Sequence, residues 1–206
     1  MLAFSSLLGN VEGQNIYRIW YDKPASYWEE ALPVGNGRIA AMVFGDPQLE
    51  QIQLNEETVS AGSPYQNYNE EAKTALPEMR RLIFEGKYEE AQNMAATKIL
   101  SQVGNEMPYQ TVGRLNIRYQ DHKKVNNYYR DLDISNAVAV TRYEVDGVEF
   151  TEETFASFTD QLVIRHIKAS KPGTINCELF FNTPMRDPKR SIYGKKGLRL
   201  GGITHG

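Results

Sequence analysis

Most of this chain alternates apolar and polar residues with a period of two, and this pattern restricts the fold more than any other feature. Ile52 and Leu54 alternate with glutamines in QIQL, residues 51–54, and the alternation recurs in RLNIRY (114–119) and TINCELFF (174–181). Successive side chains of a strand point to opposite faces of a sheet, so these segments predict strands with one buried face. The pattern also places Cys177 in the core as a small apolar residue.

Turn signals separate the alternating segments. Asp146-Gly147 is a strong two-residue hairpin candidate, and we expect further hairpin turns at Gly45-Asp46-Pro47 and Lys171-Pro172-Gly173. Short strands at this spacing are typical of an antiparallel β-sandwich. The sequence therefore predicts a mainly β fold.

One helical insertion, at about residues 69–101, interrupts the strands. Apolar residues that recur at helical spacing predict a first helix ending near Gly86: Ala72, Leu76, Met79, Leu82 and Ile83. Pro77 is expected to kink this helix or to start a new turn. We also predict a second helix, whose inward side is formed by Tyr88, Ala91, Met94 and Ala95. We expect the pair to cap one face of the sandwich, with a partner-binding role as the alternative.

Bulk composition excludes several classes of function. The net charge is −3, so electrostatics gives no reason to expect binding to nucleic acid or to an anionic membrane. The single cysteine allows no disulfide within the chain, and the three histidines are far apart without ligand spacing. We therefore expect neither a bound metal nor another cofactor.

The first residues, 1–14, contain an apolar run from Leu2 to Leu8 followed by small residues. This resembles the tail of a secretory signal peptide without its basic start. It predicts a chain that is exported to the periplasm or outside the cell, with a mature domain over residues 15–206. A disordered N-terminus is the alternative.

A partial dinucleotide-binding fingerprint, G-x-G-x-x-A, is formed by Gly35, Gly37 and Ala40, with Glu56 where a ribose-binding acid would stand. That site needs a strand before the glycines and a helix after them. Residues 26–34 show no clean strand pattern, and only seven residues separate Gly37 from Gly45. We therefore predict a tight turn over Gly35, Asn36 and Gly37, leading into a buried strand.

The same block resembles a known family. WEEALPVGNGRIAAMVFG (28–45) followed by QLNEET (53–58) resembles the opening of the N-terminal domain of family ninety-five glycoside hydrolases, the α-L-fucosidase group. The resemblance continues from about Tyr17 to Gly202. Many members carry a Trp in the segment where this chain has Val59-Ser60-Ala61, so its sugar preference could differ.

The resemblance implies that catalysis lies elsewhere. In this family a β-sandwich of the supersandwich type precedes an (α/α)-barrel, which carries the catalytic carboxylate for inverting hydrolysis of terminal α-L-fucosides. The chain is accordingly expected to be an incomplete, non-catalytic N-terminal domain, with the missing barrel of the same polypeptide and a glycan as its partners. Its adjacent carboxylates, such as Glu152-Glu153, point to opposite faces of a strand, so no catalytic residue is nominated.

Four residues are candidates for the rim of a sugar pocket: Asn55, Glu56, Trp28 and Glu29. Asn55 and Glu56 follow a strand and lead into a loop, where polar groups often act in binding, although Asn55 and Thr58 could instead cap the turn. For Trp28 and Glu29 the structural alternatives are core packing and a turn hydrogen bond. Arg38 is expected to form an ion pair with Glu30 or Glu56.

Two rival functions remain from the sequence. A stand-alone carbohydrate-binding module would need an exposed aromatic platform, which NEMPYQ (105–110) or NNYY (126–129) could supply. An inactive fragment would expose an unpaired sheet edge and tend to aggregate.

Overall fold

The computed structural model describes residues 17–61, 66–101 and 108–204. The residues of the expected signal segment, 1–14, lie outside these ranges. The chain divides into two compact units, Met1–Val59 with Thr111–Ile203 and Ser60–Gln110 with Thr204–Gly206. The first unit contains all of the described strands and the second contains the described α-helices.

The first unit consists of antiparallel β-strands. In chain order they are β1 (Arg18–Tyr21), β2 (Leu32–Gly35), β3 (Ile39–Val43), β4 (Leu49–Glu56), β5 (Gly113–Tyr119), β6 (Val125–Asp133), β7 (Val138–Val145), β8 (Val148–Ser157), β9 (Leu162–Ala169), β10 (Cys177–Asn182), β11 (Arg186–Tyr193) and β12 (Gly197–Ile203). Sheet 1 has the order β1-β6-β7-β8-β9, sheet 2 has the order β10-β5-β4-β3-β2, and β11 and β12 form a separate hairpin. The predicted mainly β, antiparallel fold is confirmed.

The main core lies between the inward faces of the two sheets. Ile52 and Ile117 of sheet 2 pack there with Leu132 and Ala139 of sheet 1. The face predicted for RLNIRY is also confirmed, because Ile117 and Tyr119 are buried and Leu115 packs against the same cluster. Cys177 is only half-buried, since β10 is an edge strand. It packs against the same core cluster, as expected for a small apolar residue.

The predicted turns differ in outcome. Asp146 and Gly147 connect β7 to β8 with φ values of 48° and 71°, so the two-residue hairpin is confirmed. Gly45-Asp46-Pro47 lies in the connection between the paired strands β3 and β4, as expected. The prediction of a hairpin at Lys171-Pro172-Gly173 is wrong, because β9 belongs to sheet 1 and β10 to sheet 2. This segment crosses from one sheet to the other.

The second unit contains the predicted helices. They are α1 (Ala72–Phe84) and α2 (Tyr88–Met94), and a π-helical turn (Ala95–Ile99) follows α2. Ala75, Leu82 and Ala91 are buried, but Ile83 and Tyr88 are exposed, which corrects their expected inward placement. Helix α1 passes through Pro77 as one element rather than restarting there. None of the described helices has the length and apolar character needed to span a membrane.

Gly45, at the end of β3, joins both sheets through its backbone. Its N–H donates to Glu50 Oε1 over 2.8 Å, and its carbonyl accepts from the Tyr128 hydroxyl over 2.7 Å. Its φ is +76°, and a Cβ there would lie 2.8 Å from the Tyr128 hydroxyl oxygen and 2.9 Å from Arg130 Cδ. Only glycine meets both the backbone angle and the space at this position.

Replacing Gly45 by alanine therefore tests how tightly this junction is packed. Gly37→Ala is the matched control, because Gly37 also has a positive φ, +93°, but nothing lies within 4 Å of its added Cβ. We expect Gly37→Ala to lower the free energy of unfolding by about 1 kcal/mol and Gly45→Ala by about 2–4 kcal/mol. Urea unfolding measures both, and equal losses would contradict the close packing around Gly45.

Candidate functional site

The turn between β2 and β3 forms one end of the sandwich. Asn36 Oδ1 accepts hydrogen bonds from the backbone N–H groups of Arg38 and Ile39, and its amide group donates to the Ser157 carbonyl over 2.7 Å. Asn36 thus ties the turn of sheet 2 to the end of β8 in sheet 1. Gly37 has a positive φ, whereas Gly35 lies in β2 with an ordinary backbone.

This geometry excludes a dinucleotide loop. A strand, β2, does precede the glycines, contrary to the interpretation of residues 26–34 as lacking a strand pattern. The segment that follows is β3, which pairs with β2 as a hairpin. The element directly after Gly37 is therefore a strand and not a helix, so this turn presents no helix N-terminus to a pyrophosphate.

Glu56, at the end of β4, is held as a carboxylate beside this turn. Its Oε1 accepts from Arg38 Nε over 3.0 Å, and its Oε2 accepts from the Thr58 hydroxyl and backbone N–H. The hydrogen bonds from Thr58, reinforced by Arg38, lower the pKa of Glu56. Arg38 was expected to pair with Glu30 or Glu56, and it forms an ion pair with Glu56. An ionised carboxylate suits an acceptor of sugar hydroxyls rather than a proton donor.

Asn55 lies next to Glu56, and two positions before it Gln53 lines a recess of about 370 Å³ on the outer side of sheet 2. Asn55 and Gln53 share this face of β4, since side chains two positions apart point the same way. The recess is lined by planar amide, guanidinium and hydroxyl groups, from Gln53, Thr111, Arg114, Asn182 and Thr183. Such groups supply paired donors and acceptors for a hydroxyl-rich ligand.

The other two rim candidates lie at the opposite end of β2. Trp28 and Glu29 belong to a short 3-10 helix, Trp28–Glu30, that precedes β2. Leu32 pairs with Val43 of β3, whereas Asn55 pairs with Ala40, which lies three positions before Val43 on the same strand. The two groups are thus separated by about 10 Å or more of strand. The structure therefore does not bring the four candidates into one site.

The structural alternatives for Trp28 and Glu29 also need correction. Trp28 is 52% exposed, so it is not a core residue. The turn hydrogen bond expected of Glu29 is made by its neighbour Glu30, which accepts from the Ser26 backbone N–H over 2.8 Å. His166 is exposed on β9, and its Nδ1 lies 3.3 Å from Glu153 Oε2.

A buried ionic cluster, which the sequence interpretation missed, lies between the two sheets. Arg165 of β9 donates through Nη2 to Glu50 of β4 over 2.7 Å and also to Glu152 of β8. Its Nη1 donates to the Thr154 hydroxyl over 2.6 Å. The side chains of Glu50 and Glu152 are 0% and 1% exposed. One guanidinium therefore links three strands from both sheets.

Aromatic side chains complete the hydrogen bonding of Glu152. The hydroxyls of Tyr119 and Tyr143 donate to Glu152 Oε1 over 2.7 and 2.8 Å. His122 stacks on Tyr119 with 4.4 Å between ring centroids. Burial and the Glu152 carboxylate raise the pKa of both tyrosines, and burial lowers the pKa of His122. These groups therefore keep their neutral forms and act as fixed dipoles around the carboxylate.

This cluster is structural rather than catalytic. A glycosidase needs two carboxyl groups that flank a substrate bond. Glu50 and Glu152 are instead closed off from solvent and share Arg165. Within residues 17–61, 66–101 and 108–204, no group of three His, Cys, Asp or Glu side chains is arranged to hold a metal ion.

The sequence did contain a signal for the cluster. Glu50 has the same strand phase as Ile52 and Leu54, and Arg165 stands between the inward residues Val163 and Ile167. Glu152 likewise follows Phe150 by two positions. A charged residue in the buried phase of an alternating strand indicates an interior ionic partner.

The strands thus form a two-sheet antiparallel domain with a recess on the outer side of sheet 2. Comparison with known proteins identifies the family. Residues 19–205 match the model of the glycosyl hydrolase family 65, N-terminal domain, and the chain belongs to that family.

Individual relatives of the chain are α-fucosidases by name. The chain is 37% identical over 181 residues to "Alpha-L-fucosidase 2" of Arabidopsis thaliana, covering 85% of the chain and 21% of that protein. It is 26% identical over 162 residues to "Probable alpha-fucosidase A" of Aspergillus niger, covering 74% of the chain and 20% of the relative. The chain thus spans about a fifth of the length of these relatives, and the resemblance to an N-terminal domain of α-L-fucosidase-like glycosidases is confirmed.

The buried cluster predicts an unusual dependence of stability on pH. Burial raises the pKa of Glu50 to about 7, aided by the nearby Glu152 carboxylate and opposed by Arg165. The folded chain therefore holds a proton that the unfolded chain releases above the ordinary glutamate pKa of 4.5. The resulting stabilisation is complete below that value and is lost as the pH rises through about 7.

We expect Glu50→Gln to flatten this part of the pH profile, because glutamine does not ionise. The shift from 4.5 to about 7 corresponds to roughly 3 kcal/mol between acidic and mildly alkaline pH. Urea unfolding at a series of pH values measures the slope. Glu178→Gln, which alters an exposed ion pair with Arg118, is the control and should keep the wild-type slope. Parallel profiles for wild type and Glu50→Gln would contradict the assignment.

Proposed function

We propose that this chain is the non-catalytic N-terminal domain of an exported α-L-fucosidase-like glycoside hydrolase. Catalysis resides in a helical barrel of the same polypeptide. The observation that carries this proposal is the relation to two fucosidases over only about a fifth of their length. The sealed Glu50–Arg165–Glu152 cluster supports it, because that close carboxylate pair does not reach a substrate.

The domain's contribution to the enzyme is a rim for the substrate pocket, formed by Asn55 and Glu56. The recess lined by Gln53, two positions from Asn55 on the same face of β4, supports this role. Glu56 is already held in place by Arg38 and Thr58, so it can accept a hydroxyl hydrogen bond without much loss of side-chain freedom. The segment that follows, up to Tyr65, includes residues 62–65 outside the described ranges.

The first test is catalytic activity with and without the barrel. We expect chain 1–206 to release no fucose from an aryl α-L-fucoside. The polypeptide extended by its downstream coding region should release fucose with inversion, which proton NMR detects as the β-anomer formed first. Turnover by chain 1–206 above a mock purification would overturn the non-catalytic assignment.

Rim variants of the extended polypeptide form the second arm of this experiment. Asn55→Ala is expected to raise KM for a fucosylated oligosaccharide about 3–10-fold, with little change in kcat, since it removes binding common to ground and transition states. Glu178→Gln on β10, distant in the sheet order from the β2–β3 turn, is the matched control. An unchanged KM in Asn55→Ala would contradict the rim while leaving the domain assignment intact.

Export is proposed from the apolar segment near the N-terminus. Residues 1–20 can be fused to an alkaline phosphatase that lacks its own signal peptide. We expect the fusion to be exported from the bacterial cytoplasm and to become active only after export. Leu7→Arg, which interrupts the apolar run, is expected to abolish the activity. A fusion that stays inactive in the cytoplasm would contradict export by this segment.

A further inference from the structure

The outer face of sheet 1 carries an aromatic pair outside the rim. Trp20 of β1 and Tyr129 of β6 have ring centroids 6.3 Å apart and planes inclined by 20°. Trp20 remains 61% exposed although its neighbours in β1 are paired with β6. An indole exposed beside a second aromatic ring offers a flat apolar surface on which a ligand can stack. Tyr129 belongs to the NNYY segment singled out in the sequence.

An ion-pair network fixes the surroundings of these rings. Asp131 lies in the same outward phase as Tyr129 and is fully buried under two guanidinium groups. It accepts from Arg18 Nη1 over 2.9 Å and from Arg142 Nη1 over 3.4 Å. Arg18 also contacts Asp133 over 3.2 Å. The guanidinium groups are therefore held in position while part of each stays accessible.

The aromatic pair begins a continuous row across the sheet. Tyr129 pairs with Arg142, Arg142 with Thr151, and Thr151 with Lys168. With strands about 4.8 Å apart, the row from β1 to β9 is about 19 Å long. We call Trp20, Tyr129, Arg142, Thr151 and Lys168 the outer strip. Its length fits a chain of several rings rather than one small molecule.

A recess of about 230 Å³ opens along this strip. Polar side chains line it, from Asn127, Arg142, Glu144, Glu149 and Thr151. It adjoins the bulge between Asn126 and Tyr129, where Asn127 has a φ of 52° and donates to Glu144 over 3.0 Å. A bulge redirects side chains at this point of the strand and so opens the space beside Arg142.

The chemistry of the strip selects its ligand. Aromatic faces pack against the C–H faces of pyranose rings, and planar guanidinium, amide and carboxylate groups bond the hydroxyls around them. The surface also carries Glu144, Glu149 and Glu153, which disfavour polyanions such as nucleic acid. A purely apolar partner would leave the charges of Arg142 and Glu144 desolvated.

We propose that the outer strip binds a neutral polysaccharide chain, independently of the rim at Asn55. Trp20 stacks on one pyranose ring, and the recess beside Arg142 receives the hydroxyls of a following ring. The domain then holds its enzyme on a polymer while the catalytic region acts on side groups. This function goes beyond the proposed rim, and its test does not depend on catalytic activity.

Affinity gel electrophoresis of chain 1–206 tests the proposal, with hydroxyethylcellulose, xylan or galactomannan in the gel. We expect retardation by at least one of these polymers, and a loss of affinity of roughly tenfold or more in Trp20→Ala. Tyr88→Ala is the matched control, because Tyr88 is a similarly exposed aromatic on α2. Its mobility should follow that of the wild type.

If the Trp20→Ala chain fails to fold, tryptophan fluorescence provides a second test. Since the sequence contains two tryptophans, Trp28→Phe leaves Trp20 as the only indole. Titration of that chain with the retarding polymer should change Trp20 emission in a saturable way, whereas Trp20→Phe, which keeps Trp28, should show no change. No retardation by any of the three polymers, or binding that leaves Trp20 emission unchanged, would overturn the proposal.

Discussion

The position of Arg165 between Glu50 and Glu152 determines how the two sheets meet. Three ionisable side chains are removed from water there, and each needs partners because a buried polar or charged group without them is costly. The partners come from both sheets: Thr154 beside the arginine, Tyr119 and Tyr143 at Glu152, and the Gly45 backbone at Glu50. These bonds have defined directions, unlike apolar contacts, so they fix the registration of one sheet on the other.

That registration carries over to the end of the sandwich. Asn36 bridges the β2–β3 turn to the Ser157 carbonyl, and this bond forms only if β2 and β8 hold their relative position. The same turn presents Arg38, which orients Glu56. The turn that holds Arg38 is therefore supported from both sheets.

Sequence patterns predicted the fold better than the site, for physical reasons. Alternation and Asp146-Gly147 are local signals, and they indicated β7, β8 and their hairpin correctly. The Lys171–Gly173 turn was misjudged because turn chemistry does not say whether the next strand pairs in the same sheet. Glu50 and Arg165 were missed because charged residues are usually exposed, although their strand phase placed them inside. The separation of Trp28 from Asn55 depends on strand pairing, which no local pattern contains.

The charged groups of the sandwich are held by fixed partners. In the interior, Glu50 and Glu152 share the Arg165 guanidinium and are closed off from solvent, with neutral tyrosine hydroxyls at Glu152. At the surface, Glu56 is held by Arg38 and Thr58, and in the network beside the outer strip Arg18 and Arg142 are fixed by the buried Asp131. Acceptors and donors fixed in this way, beside open amides and aromatic rings, suit recognition of hydroxyl groups. Both the rim of sheet 2 and the outer strip of sheet 1 follow this principle, on opposite faces of one rigid core.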